Sequence, residues 1–159
     1  MRTLLALAAL LASAASASAQ QREIWLVGGA QDGAGRHTLV DYVDAASITA
    51  PTPNTRRAWT WFFHAPYSSS EFAGEYGVSF REYNCTTRQM RFLQTTHYGA
   101  DGSVLPSSSR ASPWEYVTPE TMGEFELDFV CAPAESRRGV RVNAAAAPRD
   151  HAAVLFASR

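Results

Sequence analysis

The stretch Thr118-Pro119-Glu120-Thr121-Met122-Gly123-Glu124-Phe125-Glu126-Leu127-Asp128-Phe129-Val130-Cys131 decides whether the regular structure closes on a helix or on one more strand. Thr118 offers a capping side chain, Pro119 suits a first helical position, and Glu120 puts an acid in the first turn. Met122, Phe125 and Phe129 then fall on one helical face, with Val130 beside them. A rival pattern runs through the same residues: Phe125, Leu127, Phe129 and Cys131 alternate as they would in a strand. The start signals favour the helix.

Upstream, the pattern is one of strands. Glu23 to Val27 is a short apolar strand that stops at Gly28-Gly29-Ala30-Gln31-Asp32-Gly33-Ala34-Gly35, a glycine-rich turn. His37 to Val43 is β-branched and aromatic and reads as a second strand. After a turn at Pro51-Thr52-Pro53-Asn54, Arg56 to His64 puts Trp59, Trp61 and Phe63 on one face and Phe62 on the other. Bulk on both sides places this third strand centrally in the sheet. Tyr76 to Asn84 and Arg88 to Tyr98 follow as a fourth and a fifth strand around a turn at Thr86-Thr87. Residues 99–113 form an exposed loop, and Trp114 to Val117 adds a short sixth strand. Strict alternation puts Cys85 on the face of Arg81 and Tyr83, away from Val78 and Phe80. A Cys85 that points at the helix therefore requires either a bulge or a helix lying over the Tyr83 side.

The first residues read as an export signal. One charge at Arg2 precedes the Leu/Ala run Leu4 to Leu11, and Ala17-Ser18-Ala19 supplies a small-residue cleavage site before Gln20. The expected division is a signal over 1–19 cut between Ala19 and Gln20, a domain over 20–132, and an Ala/Arg-rich flexible tail over 133–159. A short helical turn is expected around His151 to Phe156. The apolar run falls short of the roughly 20 residues of a membrane-spanning helix, and no cysteine follows the signal, so neither a span nor a lipid anchor is expected. The remaining chain of about 140 residues suits one domain with one core.

Formal charge is −1 and all basic residues are arginine. A concentrated basic face, which nucleic-acid binding requires, is absent beyond a short Arg137-Arg138-Gly139-Val140-Arg141 cluster, so no nucleic-acid partner is expected. An even pair of cysteines in an exported chain, Cys85 and Cys131, favours a disulfide over two buried thiols. Neither the close pairs of a zinc site nor a thiol beside a base is present.

Little else points to chemistry. His37, His64, His97 and His151 lie far apart in sequence, and only the first three could meet across neighbouring strands. No metal or other cofactor is expected. Asp41 and Asp44 are close enough to perturb each other, but they read as a solvated strand end. Gly28 to Gly35 lacks the spacing of a phosphate-binding loop, and Ser107-Ser108-Ser109 lacks that of a nucleophile elbow. Asn84-Cys85-Thr86 fits a glycosylation pattern only formally. Arg88 and Arg91, interleaved with aromatics, offer either a partner-binding surface or stems packed over a sheet.

Leu39-Val40-Asp41-Tyr42-Val43-Asp44 with Ser47-Ile48, Arg81-Glu82-Tyr83-Asn84-Cys85 with Arg88 and Arg91, Trp114-Glu115-Tyr116-Val117, and Glu124 to Cys131 together resemble the surface-adhesin protein E family, small exported proteins of Gram-negative bacteria. The resemblance runs from about Trp25 to Cys131. It implies an α+β fold: an antiparallel sheet of about six strands, and a helix near the C-terminus tied to it by a Cys85–Cys131 disulfide. It also implies a binding role, since the family's namesake is a lipid-anchored adhesin for host matrix and plasma proteins. This chain departs from the namesake in having no lipidation cysteine and no lysine. The expectation is an exported non-catalytic binding module of the envelope, periplasmic, surface-held or secreted, with host or envelope proteins as ligands. A structural or assembly protein of the envelope is the alternative, and an enzyme the third reading.

Overall fold

Alternating bulk along residues 24–98 builds one antiparallel sheet, seen in a computed structural model that describes residues 22–143 and 147–158. The strands are β1 (Ile24–Gln31), β2 (His37–Asp44), β3 (Thr49–Thr52), β4 (Thr55–His64), β5 (Tyr76–Asn84), β6 (Gln89–Tyr98), β7 (Glu115–Tyr116) and β8 (Val140–Arg141). Their order is β7-β6-β5-β4-β2-β1-β8, with β3 also pairing with β4. The six strands expected from sequence are all present; β3 and β8 are short additions. β4 is central, as its two-sided bulk requires. β2 and β3 lie along the same edge of β4, separated by a 3-10 turn at Ala45–Ser47.

Two helices cover opposite faces. α1 (Met122–Cys131) lies over Val43, Ala58 and Tyr83, burying Leu127, Phe129 and Val130. α2 (Pro148–Ala157) lies over Val40, Tyr42 and Phe63, with Ala152 buried and Leu155 and Phe156 partly so. Each fully covered Leu or Phe contributes about 2 kcal/mol of transfer free energy. Cys85 and Cys131 are joined by a disulfide, Cα to Cα 5.6 Å, which ties the end of β5 to the end of α1. The helix covers the Tyr83 side of the sheet, so Cys85 meets it in plain alternation. The nearby register shift between Phe80 and Arg81 concerns the pairing of β5 with β6.

Several expectations need correction. The first strand does not stop at Gly28 but runs on to Gln31, leaving a turn over Asp32–Arg36. Gly28 is in the strand because α1 passes over it: a Cβ there would lie 2.9 Å from Phe125 Cδ2, the close approach that selects glycine in a strand. The turn expected at Pro51–Asn54 narrows to Pro53-Asn54, because Thr52 pairs with Thr55. α1 begins a turn later than its start signals. Glu120 has φ of 61°, which a helix interior does not admit, and Thr121 Oγ1 donates to the Thr118 carbonyl instead of capping. Glu124 reaches back to accept from Glu120 N, close to the logic of a capping box. The buried face is also rotated: Phe125 is 43 % exposed and Glu126 is fully buried.

The flexible tail expected over 133–159 carries secondary structure along its described residues. Val140 and Arg141 pair with Leu26 and Trp25, Val142 is buried, and α2 seats Ala152 on the sheet. The helical turn expected around His151 to Phe156 lies within α2, which starts earlier, at Pro148; composition hid the rest, because alanine gives a helix without a strong apolar stripe. The proposed signal and its Ala19/Gln20 cleavage site lie outside the described residues. Among those described, no helix is long and apolar enough to cross a membrane.

Candidate binding face

The face under α1 is closed and carries a charged interior. Arg81, on β5, points at the helix and pairs with Glu126 Oε2. The Tyr83 hydroxyl donates to the same oxygen at 2.7 Å. Asp41, on β2, is 3 % exposed and belongs to the same cluster. Burial pushes its carboxyl well above the usual range, and the Glu126 charge adds to this while Arg81 opposes it. Burial likewise leads the upward shift of the Tyr83 hydroxyl. Burial alone would lower Arg81, but Glu126, Tyr83 and Asp41 outweigh it and hold the guanidinium charged. Asp41 Oδ1, Thr60 Oγ1, Arg81 Nε and Glu126 Oε1 have no hydrogen-bond partner among the described residues. Two acids beside one arginine are accommodated when one acid keeps its proton. With Glu126 fully buried, this cluster holds the helix on the sheet.

The opposite face is only half covered. Strand pairing lays three rungs across β4, β5 and β6: Trp59–Phe80–Gln94, Trp61–Val78–Thr96 and Phe63–Tyr76–Tyr98. α2 seats on the end near Phe63. Trp59, Trp61 and Val78 of the other two rungs form the floor of a groove of about 450 Å³ that is also lined by Arg22, Asp44, Ser47 and Tyr98. Trp59 and Phe80 lie 5.0 Å apart, and the Arg22 guanidinium sits 5.6 Å from the Trp61 ring centroid. One wall is fixed by Asp44, whose Oδ1 accepts from the backbone N–H of Glu23 and of Ala46. Ser47 Oγ donates to the Asp44 carbonyl and accepts from Trp59 N–H. Beyond Trp59 the face turns polar: Arg57 and Arg91 both bind the nearly buried Glu82, and Arg91 lies 4.6 Å over Trp114. The result is an aromatic trough with a cation at its mouth and a charged ladder at its end. Aromatic and arginine side chains are those enriched where proteins bind one another.

The remaining residues singled out in the sequence take structural places. Asp41 and Asp44 are not a solvated strand end: both are buried, on opposite faces of β2, where α1 covers Asp41 and Asp44 turns inward to cap the 3-10 turn at Ala45–Ser47. His64 and His97 both flank Phe62, and burial lowers His64 against the pull of Glu75. His37 stands at the start of β2, and His151 Nδ1 shares a 2.9 Å hydrogen bond with the Tyr42 hydroxyl. Among the described residues no three metal-binding side chains group together. Arg88 bridges to Glu124 and Asp128 on α1, so it serves docking of the helix. The 99–113 loop lines the outer edge of β6, where Thr95 bonds with Ser108 and Leu105 with His97.

Sequence reasoning missed the inward Glu126 and the groove. The signal for Glu126 was there: an acid inside an apolar helical stretch, and an arginine alternating with buried positions on the strand tied to it by cysteine. The groove carries no such local sign, because its lining comes from residues as far apart in sequence as Arg22, Asp44, Trp59 and Tyr98.

The family model for surface-adhesin protein E matches residues 31–132. That span holds the charged interior, both cysteines and the groove residues except Arg22; it ends before β8 and α2. No curated protein and no solved structure matches the chain.

Proposed function

The chain belongs to the surface-adhesin protein E family, and from that premise we propose that it is an exported, non-catalytic envelope module that binds protein ligands in the Trp59–Trp61 trough. One observation carries this reading. A sheet face with aromatic rungs is left open beside a helix that closes the rest of it. Exposed apolar clefts of this kind, rimmed by polar groups, mark interaction sites. The trough suits an extended segment of a partner, with apolar side chains over Trp59 and Val78 and an acid facing Arg22. The charged interior under α1 supplies rigidity, so the trough is presented preformed.

Export follows the leader read over residues 1–19, with processing after Ala19 giving a mature domain from Gln20. Envelope residence offers the trough other envelope proteins as ligands in the periplasm, and host proteins where the domain is displayed at the surface. The test is affinity capture with the oxidised exported domain against matrix proteins, plasma proteins and envelope extract in parallel. Saturable recovery of one such protein, lost when the disulfide is reduced, supports the reading. Turnover of a substrate by the same domain, with no ligand captured, overturns it.

A further inference from the structure

A second cleft, of about 400 Å³, opens between α2 and the segment that joins β4 to β5. Its walls are apolar. Phe63 and Tyr76 rise from the sheet, and Ala152, Ala153 and Phe156 come from α2. Small residues keep it open: Gly74 sits in the facing segment at φ of 79°, where a Cβ would lie 2.9 Å from Ala100 Cβ. This size, with apolar lining and few polar groups, is that of a small-molecule site.

Charge at the cleft is one-sided. Arg149, in the first turn of α2, places its guanidinium carbon 5.2 Å from the Tyr76 ring centroid. Among the described residues it meets no carboxylate within ion-pair distance. The acids nearby are otherwise placed: Asp101 accepts from Ser103 N–H, Asp150 adjoins Arg149 on the helix, and Glu75 acts on His64. An apolar cavity with one unpaired arginine at its rim calls for a ligand with a hydrocarbon body and a single anionic head.

We propose that this cleft binds a free medium-chain fatty acid, its carboxylate on Arg149 and its chain against Phe63, Tyr76 and Phe156. The proposal does not depend on the trough or on the protein-binding reading, since α2 lies outside the 31–132 family match. Calorimetric titration of the purified exported chain with dodecanoate, below the concentration at which it forms micelles, tests it. One-to-one binding is expected. A charge-assisted hydrogen bond implies that dodecanol, or Arg149→Gln with dodecanoate, binds about tenfold more weakly. Ala153→Trp, at an exposed position on the cleft wall, should remove binding while circular dichroism stays unchanged. Equal binding of dodecanol and dodecanoate, no heat up to millimolar dodecanoate, or full binding by Ala153→Trp overturns the proposal. Binding to phosphatidylglycerol vesicles alone would also overturn it, by assigning the surface to a lipid bilayer.

Discussion

Arg81 on β5 and Glu126 on α1 form an ion pair with side chains 8 % and 0 % exposed, and four residues further along β5 the Cys85–Cys131 bond ties the same strand to the same helix. The pair fixes the rotation of α1 and the disulfide fixes its end. Removing one member of a buried pair strands the other charge, at about 3–5 kcal/mol. Glu126→Leu and Arg81→Met should therefore each lower the urea midpoint sharply. The double variant Arg81→Met/Glu126→Leu should recover much of the loss. Additive losses would show that the pair contributes little to seating the helix.

The disulfide closes a loop with a sequence separation of 46, which by chain entropy stabilises the fold by about 4 kcal/mol. Cys85→Ser/Cys131→Ser should lose close to that amount in equilibrium denaturation. It should also speed proteolysis within α1 before proteolysis of β4 and β5.

Asp41 gives a pH dependence with a definite sign. Its carboxyl is raised well above the usual value by burial and then by Glu126. The folded chain therefore binds more protons than the unfolded one between the ordinary aspartate range and the raised value. Stability from this group is complete at pH below the ordinary range and falls as pH rises toward the raised value. The slope reaches at most about 1.4 kcal/mol per pH unit for one proton. Subtracting the Asp41→Asn stability curve from that of the parent should leave this falling slope. A flat difference would mean that Asp41 is ionised in the folded chain.

Gly77 should resist substitution for a packing reason. A Cβ there would lie 2.3 Å from two atoms of the Phe62 ring, so Gly77→Val should cost about 1–3 kcal/mol by overpacking. Gly33, with nothing within 4 Å of such an atom, should accept alanine with little change in thermal midpoint.

Most of the sheet was legible because alternation reports directly on a half-buried strand. β4 declared itself central by carrying Trp59, Trp61 and Phe63 on one side and Phe62 on the other. The helix was legible in kind, while its start and buried face were not. Thr118 and Pro119 satisfy the local rules for a cap, yet the left-handed Glu120 ends that option. The hydrophobic stripe through Phe125 loses to a long-range pairing of Glu126 with Arg81 that no local window contains. β8 escaped because alanine and arginine give no periodic signal, and of α2 only the turn around His151 to Phe156 was legible, without its start at Pro148 or its seat on the sheet.

The most direct test of the central claim is binding of a captured ligand protein to the folded exported domain and to two trough variants, Trp59→Ala and Arg22→Glu. Arg22 is exposed and lines the trough, so its substitution leaves the core intact. The account predicts at least a roughly tenfold loss of affinity in both variants, the size expected for an aromatic anchor or a misplaced charge at an interface centre, with unchanged circular dichroism and an intact disulfide. Parent-like affinity in both variants would place the ligand elsewhere and contradict the assignment of the trough.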